Sequence, residues 1–220
     1  MSKNQKMKKQ LKYQWIKLLG IICLIILTGT QSCKPDKKDR MVYKPNIYIY
    51  PTEKTELVVK INFPIGGELE TTIPEYGNGW NITVDTTGII NDVYTYLFYE
   101  SNQPDVWQRN YGWFVNSENL DSFFRANLSE YGFKGHEIDD FINYWIPRLD
   151  SFSNYAIYPQ TKKLIDEVIR LEFSIQPDRI LRLFYVIDRQ DQSPEKLKEP
   201  TIESFARKGY FVTEWGVILN

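Results

Sequence analysis

The sequence predicts an α+β protein, an antiparallel β-sheet or sandwich with a helical hairpin inserted between two β-rich parts. Two observations support this class. On both sides of residues 117–149, apolar and polar residues alternate with the period of two that half-buried strands show. Within residues 117–149, apolar residues recur at the spacing of three and four that amphipathic helices show. The change of period along the chain therefore sets the predicted class.

The N-terminal β-rich part contains five predicted strands. The first spans residues 45–51, where isoleucine alternates with tyrosine between two prolines. The second spans residues 56–63, which carry four apolar residues of one parity. Two shorter strands follow at 69–73 and 80–84, separated by an Asn-Gly turn, and an aromatic strand spans 94–100. We interpret these strands as an antiparallel meander.

The helical hairpin follows a segment, residues 103–115, that fits either a strand or an ordered loop. Ser117 is a good N-cap for the first helix, which we expect to end at Gly132. A second helix begins near Gly135 and carries a wide apolar stripe. Pro147 stops or kinks this second helix.

The C-terminal β-rich part begins with an extended segment at residues 154–159. Strands at 168–176 and 179–188 are predicted to form a hairpin around a Pro-Asp pair. After a loop rich in proline, lysine and glutamate, a short helix is predicted to end at residues 205–208. The last strand spans 210–219.

The N-terminus resembles a bacterial lipoprotein signal peptide of the Bacteroidetes type. Six lysines precede an apolar run of ten residues, 18–27, which is too short to cross a ~30 Å hydrocarbon core as a helix. Small and polar residues then lead to Cys33, which in such lipoproteins carries the acyl chains. The alternative is an uncleaved N-terminal membrane helix. The chain thus divides into a signal peptide (1–32), an acylated cysteine with a tether (33–44) and one globular α+β domain (45–220).

Composition excludes several classes of function. The chain has 27 basic and 28 acidic residues, and removing the six lysines of the signal leaves 21 against 28, a net charge of −7. An acidic body is a poor partner for phosphate backbones, so nucleic acid is not an expected partner. Both cysteines precede residue 34, and the single histidine, His136, excludes multi-histidine zinc sites. We therefore predict no metal site and no cofactor.

Five segments of the body occur in a fixed order. They are Lys44-Pro-Asn-Ile-Tyr-Ile-Tyr-Pro51, Pro74-Glu-Tyr76 with Gly79-Trp80, Tyr96-Leu-Phe-Tyr-Glu100, Phe141-Ile-Asn-Tyr-Trp-Ile-Pro147 and Arg207-Lys-Gly-Tyr-Phe-Val-Thr-Glu-Trp-Gly216. Together they resemble an uncharacterised bacterial family of secreted or membrane-tethered proteins. The resemblance covers nearly the whole body. It implies one unitary domain and carries no mechanism.

Three glutamates are candidates for catalytic carboxylates. Glu75 lies in a tight turn, Glu100 ends the aromatic strand, and Glu214 lies in the last strand between a threonine and a tryptophan. Two carboxylates at ~5–5.5 Å or ~6.5–9.5 Å suffice for a glycoside hydrolase, and burial beside tryptophan would raise the pKa of one of them. The alternative is that strand-end glutamates face solvent or pair with arginines. The candidate arginines are Arg179, Arg182 and Arg189.

Three aromatic residues of one parity, Trp107, Tyr111 and Trp113, are candidates for a sugar-stacking platform, because flat aromatic faces cover pyranose rings well. The alternative is packing in the core, where aromatic residues also dominate. His136 lies in a polar first turn of the second helix, and we predict a surface histidine there, with a catalytic base or ligand as the alternative.

These observations predict a lipid-anchored protein of the bacterial cell envelope, at the outer membrane and facing the periplasm or the cell surface. Its contact with the membrane is expected through the lipid anchor. Because no catalytic constellation is recognisable, we expect a non-enzymatic binding or scaffolding module for an envelope glycan or a protein partner. The alternative is a carboxylate-dependent hydrolase of cell-wall or other polysaccharide.

Overall fold

The computed structural model describes residues 39–149, 151–190 and 197–220, which belong to one compact unit. These residues contain ten strands and three α-helices, which confirms the predicted α+β class. The strands are β1 (Asp39–Tyr50), β2 (Thr55–Asn62), β3 (Glu68–Ile73), β4 (Trp80–Val84), β5 (Leu97–Pro104), β6 (Trp113–Asn116), β7 (Asn154–Thr161), β8 (Arg170–Phe173), β9 (Arg179–Gln190) and β10 (Phe211–Leu219). The helices are α1 (Leu120–Tyr131), α2 (His136–Trp145) and α3 (Lys162–Val168). The predicted signal peptide, Cys33 and the start of the predicted tether lie outside the described residues.

The strands form two sheets. The large sheet has seven strands in the order β3-β5-β1-β10-β9-β7-β6, and the small sheet has three in the order β4-β2-β8. Neighbouring strands are antiparallel except β9 and β10, which run parallel. In β10, residues 212–218 are all buried, which is the pattern of a central strand covered on both faces.

Two hydrophobic cores lie on opposite faces of the large sheet. One core joins the large sheet to the small sheet, and it includes Val212 and Ile218 of β10. The other core joins the large sheet to the hairpin of α1 and α2, and it includes Trp215 and Val217 of the same strand. The large sheet is therefore the middle layer of three, and side chains of β10 alternate between a strand-covered face and a helix-covered face.

The helical hairpin forms as the sequence predicts. Gly132 follows α1 in a left-handed conformation (φ 113°), and its amide donates to the carbonyls of Leu128 and Ser129 at 3.1 and 3.0 Å. The chain enters α1 through a short 3₁₀ turn, Ser117–Asn119, so Asn116, one residue before the predicted cap, accepts the capping bond from the Glu118 amide. Pro147 lies in another 3₁₀ turn directly after α2 and ends it there.

The predicted meander is wrong, because β2 and β4 pair in the small sheet whereas β3 and β5 pair in the large one. Alternation reveals that one face of a strand is buried, and it does not reveal which sheet buries it. The predicted hairpin of residues 168–176 and 179–188 is wrong for the same reason, since β8 lies in the small sheet and β9 in the large sheet.

Several element bounds also differ from the prediction. Strand β1 begins at Asp39, six residues inside the predicted tether, and the aromatic strand is shifted to Leu97–Pro104. Helix α3 was not predicted, and residues 205–208 contain no helix. Within the described ranges, no helix is both long enough and apolar enough to cross a membrane.

Candidate functional site

A distortion in β1 positions the side chain at the centre of the candidate site. The register of β1 shifts between Val42 and Asn46 against β5, and between Tyr43 and Asn46 against β10. Within this bulge Lys44 has φ 51°, a left-handed conformation that a lysine rarely adopts. Such conformations persist only where the surrounding structure enforces them, and they occur often at binding sites.

The ammonium of Lys44 lies among three aromatic rings. The distance from Nζ to the ring centroid is 4.7 Å for Phe98, 4.8 Å for Tyr96 and 5.1 Å for Tyr144. These distances lie within the ~6 Å over which a ring attracts a cation. The rings come from β5, from the residue just before it and from α2, so the strands and the helical hairpin build the site together.

The hydrogen bonds of this ammonium are long. Nζ donates to the Tyr96 hydroxyl at 3.3 Å and to Asn46 Oδ1 at 3.4 Å. Within the described part of the chain, no ion pair joins Lys44 to a carboxylate. Burial lowers the pKa of Lys44, while the charges of Asp140 and Glu100 raise it to a lesser extent.

A row of polar groups links this site to the start of α2. Asn46 donates to the Tyr48 hydroxyl at 3.3 Å, and that hydroxyl donates to Asp140 Oδ2 at 2.9 Å. Burial and the Asp140 charge raise the pKa of Tyr48 well above its usual value, so Tyr48 stays a donor. His136 lies one helical turn before Asp140, and its Nε2 atom is 3.3 Å from the Tyr50 hydroxyl. His136 is exposed, as predicted.

An open cavity of about 340 Å³ lies beside Lys44. This volume falls in the range of small-molecule sites. Its lining includes Ile73, Val93, Tyr94, Tyr96, Phe98 and Tyr144. Ile73 is 49% exposed and Val93 is 71% exposed, so two apolar side chains are open to solvent at the cavity. The lining thus offers aromatic faces, phenol hydroxyls and one cation.

Glu137 is fully buried beside this site, and its carboxylate is saturated with hydrogen bonds. Its Oε1 atom accepts from the Tyr50 hydroxyl at 2.7 Å, the Thr213 hydroxyl at 2.9 Å and Nη2 of Arg207 at 2.9 Å. Its Oε2 atom accepts from Nη1 of Arg207 at 2.7 Å and from the Lys134 amide at 2.9 Å. The carboxylate therefore binds α2 to β1, β10 and the segment before β10.

Glu214 is also fully buried, on the opposite face of the large sheet. It accepts from the Tyr99 hydroxyl at 2.9 Å and forms an ion pair with Arg182, as the arginine-paired alternative predicts. Arg182 also bonds to Asp166 of α3 at 2.7 Å. Glu214 thus lies in a charge network between the two sheets.

The three predicted catalytic glutamates do not come together. Glu214 lies on the face of the large sheet that the small sheet covers. Glu100 is half-buried and shares the parity of Phe98, which contacts Lys44 on the helix-covered face. Glu75 is exposed in the turn after β3. Glu214 and Glu100 thus lie on opposite faces of the large sheet, so the three residues do not form one cluster of carboxylates.

The three predicted platform residues do not form one surface either. Trp107 is buried in the core between the sheets, where its ring packs on Phe184 at 6.2 Å between centroids. Trp113 packs on Phe123 in the core under the helices, at 5.4 Å. Tyr111 lines a separate cavity beside residues 198–201. The shared parity predicted a common face, but Trp107 lies in a loop before β6 and does not follow the alternation of a strand.

Sequence reasoning missed Lys44 and Glu137, although both left a signal. Lys44 shares its parity with Asn46, Tyr48 and Tyr50, so the first strand has a polar face opposite its isoleucines. Glu137 precedes Phe141 by four residues on α2, which places it on the apolar stripe. Three of the five segments of the resemblance, 44–51, 96–100 and 141–147, supply the residues around the Lys44 ammonium.

Among the described residues, no group of three or more His, Cys, Asp or Glu side chains is placed to hold a metal ion. Comparison of the chain with protein-family models, with curated proteins and with solved structures gives no match.

Proposed function

We propose that this chain is a lipid-anchored protein of the bacterial cell envelope whose globular body binds an envelope glycan without catalysing a reaction. The observation that carries the proposal is the cavity beside Lys44, with its aromatic faces and hydroxyl groups. Aromatic faces cover the apolar face of a pyranose ring, and tyrosine adds a polar group at its edge. A binding site of this kind needs no nucleophile and no general base.

Binding is favoured over hydrolysis because the buried carboxylates are committed to structural partners. Glu137 accepts five hydrogen bonds, and Glu214 is enclosed with Arg182 between the sheets. A glycosidase needs two carboxyl groups that face one substrate across a few ångströms. Neither buried glutamate faces the cavity beside Lys44, so the hydrolase alternative gains no support from the site.

The binding part is tested with a soluble form, residues 34–220, which includes the described compact unit. Its thermal midpoint is measured with peptidoglycan fragments and common envelope polysaccharides. A ligand at 100 times its dissociation constant stabilises a protein by ~2.7 kcal/mol, and each kcal/mol moves the midpoint by ~2–4 °C in a domain of this size. We expect a rise of several degrees with one glycan and no release of reducing ends.

Matched variants locate the site. Tyr144→Ala removes one ring from the Lys44 pocket and should abolish the shift, because the aromatic face is lost. Tyr111→Ala removes a half-buried tyrosine at a different cavity and should leave the shift intact. If Tyr111→Ala abolishes the shift and Tyr144→Ala does not, the glycan does not bind in the cavity beside Lys44. A screen without any shift would reject glycan binding and favour a protein partner.

The anchor part is tested in cells. The proposal attaches the acyl chains to Cys33, as the basic head, short apolar run and terminal cysteine of the signal suggest. More than one acyl chain suffices for stable anchoring, whereas a single chain by itself gives only marginal membrane binding. Labelling with a palmitate analogue should mark the wild type and not Cys33→Ser. Equal labelling of both proteins would contradict the anchor.

A further inference from the structure

We propose that the glycan taken by the Lys44 pocket is an acidic one, a uronic-acid-type saccharide whose carboxylate pairs with the Lys44 ammonium. This inference rests on the proposed function and adds the chemical class of the ligand. The first observation behind it is the state of the ammonium. Lys44 is half-buried at a cavity wall, with two hydrogen bonds of 3.3 and 3.4 Å and no ion pair among the described residues.

An ammonium in this state is held only weakly by its partners within the protein. It has three N–H donors, and a charge that is partly removed from water is stabilised only by pairing and good hydrogen bonds. The aromatic rings supply part of that stabilisation, and both hydrogen bonds within the protein are long. A ligand carboxylate would supply a charge-assisted hydrogen bond of ~2.7–2.9 Å, shorter and stronger than either existing bond.

The neighbouring acidic side chains do not already fill this role. Asp140 acts on Lys44 through its charge, but its Oδ2 atom accepts the Tyr48 hydroxyl and it makes no ion pair with Nζ. Glu100 likewise acts only through its charge. Arg148 also contacts Tyr144, with its guanidinium carbon 3.8 Å from the ring centroid, and so adds a second positive charge near the pocket.

The other side chains of the cavity wall indicate the chemistry of the rest of the ligand, beyond its carboxylate. Tyr94, Tyr96 and Tyr144 offer flat faces and hydroxyls, and Ile73 and Val93 offer apolar surface. A uronic acid presents the matching set: an apolar ring face, several hydroxyls and one carboxylate. The body as a whole carries excess negative charge, which repels anions, so an acidic ligand is accepted only where a local cation pairs with it.

The test compares sugars that differ only in the carboxylate. Titration calorimetry of the full chain in detergent is carried out with methyl β-glucuronide and methyl β-glucoside, and with oligomers of galacturonate and galactose. We expect the acidic member of each pair to bind at least about tenfold more tightly, a difference of about 1.4 kcal/mol. The preference should weaken as salt is added, because the paired charges are partly exposed.

Three variants separate charge from shape. Lys44→Met keeps an unbranched side chain and removes the cation, so it should lose the preference for the acidic sugar. Lys44→Arg keeps the cation and should retain much of the preference. Lys163→Met removes an exposed lysine of α3 and serves as the matched control. Far-ultraviolet circular dichroism and the thermal midpoint of each variant show whether it is folded.

The pH dependence gives an independent readout. Burial lowers the pKa of Lys44, and the nearby charges are those of Asp140, Glu100 and Arg148. The preference for the acidic sugar should therefore disappear as the pH rises, at a midpoint below the 10.5 of an ordinary lysine.

Each outcome has a separate meaning. Equal binding of acidic and neutral sugars, with loss of both in Tyr144→Ala, would overturn the acidic class and leave the proposed glycan site intact. Binding of a peptide with a free C-terminal carboxylate in place of any sugar would overturn the saccharide class. No binding of any of these probes would reject both this inference and the proposed function. Unchanged preference in folded Lys44→Met would show that another cation recognises the carboxylate.

Discussion

Replacing Glu137 by glutamine tests the most heavily bonded carboxylate in the structure. The change keeps the size of the side chain and exchanges one acceptor oxygen for an NH₂ group. Oε1 accepts three hydrogen bonds and Oε2 accepts two, and each oxygen accepts one bond from Arg207. Whichever oxygen is exchanged, two or three donors lose their acceptor and face a new donor.

The expected cost follows from these contacts. Removing one partner of a buried ion pair costs about 3–5 kcal/mol, because the other charge stays buried without compensation. Arg207 is only 16% exposed, so solvent compensates little. For a domain of this size, a loss of 3–5 kcal/mol lowers the thermal midpoint by about 6–20 °C. This is a large fraction of the 5–15 kcal/mol that folded domains typically have.

The assay is urea unfolding of Glu137→Gln, followed by tryptophan fluorescence, with the free energy of unfolding taken from the midpoint and slope. Glu167→Gln is the matched control, since Glu167 is exposed on α3. We expect the control to lie within about 0.5 kcal/mol of the wild type. The double variant Glu137→Gln with Arg207→Met should be less destabilised than the sum of the single changes, because the unpaired cation is removed.

A free energy of unfolding of Glu137→Gln within about 0.5 kcal/mol of the wild-type value would refute this reasoning. Substitutions of exposed residues usually change the free energy of unfolding by no more than that amount. Strict additivity in the double variant would also refute it, since it would mean that Glu137 and Arg207 do not stabilise each other.

Three further changes test the packing of the layers. Arg182→Met should lower the free energy of unfolding by about 3–5 kcal/mol in the same assay, because it leaves a buried carboxylate unpaired between the sheets, and a loss below 1 kcal/mol would contradict the buried pair. Gly132→Ala should lower the free energy of unfolding more than Gly77→Ala does, although both glycines have positive φ. A Cβ on residue 132 would lie 2.8 Å from the Cβ of Phe205, whereas a Cβ on residue 77 would have no atom within 4 Å. Burial raises the pKa of Tyr99 and Tyr185 well above the usual 10.0, so their contribution to stability is present below pH 10 and is lost as the pH rises above it. In a pH titration, phenolate absorbance should therefore appear together with unfolding. Phenolate absorbance of these two residues in the folded protein would contradict their burial.

How far the sequence predicts the fold depends on how local the determining interaction is. The end of α1 was predictable, because Gly132 adopts a conformation that glycine alone adopts freely. The partner of β2 was not predictable, because alternation gives a buried face and says nothing about which strand lies beside it. Helix α3 has seven residues, less than two full turns of apolar spacing, so tertiary contacts of Ile165 and Val168 decide its conformation.

The candidate site was less predictable than the fold, because it is made by contacts between residues far apart in sequence. Lys44 meets Tyr96 and Phe98 through the pairing of β1 with β5, and it meets Tyr144 through the packing of α2 on the large sheet. The bulge in β1 that brings Lys44 to these rings depends on a register shift, and no local sequence pattern predicts that shift. The motif segments contain the residues of the site, but the sequence does not reveal that these residues meet around one ammonium.

The distribution of charge among the three layers is consistent with the proposed binding function. A catalytic carboxylate must exchange a proton or form a bond with substrate, so it needs a free lone pair and access. Glu137 and Glu214 have neither, since the first accepts five hydrogen bonds and the second is enclosed by Tyr99 and Arg182. The ammonium of Lys44, by contrast, has only long hydrogen bonds within the protein and lines an open cavity. In the proposed function this cation pairs with an anionic ligand, which requires no chemical step.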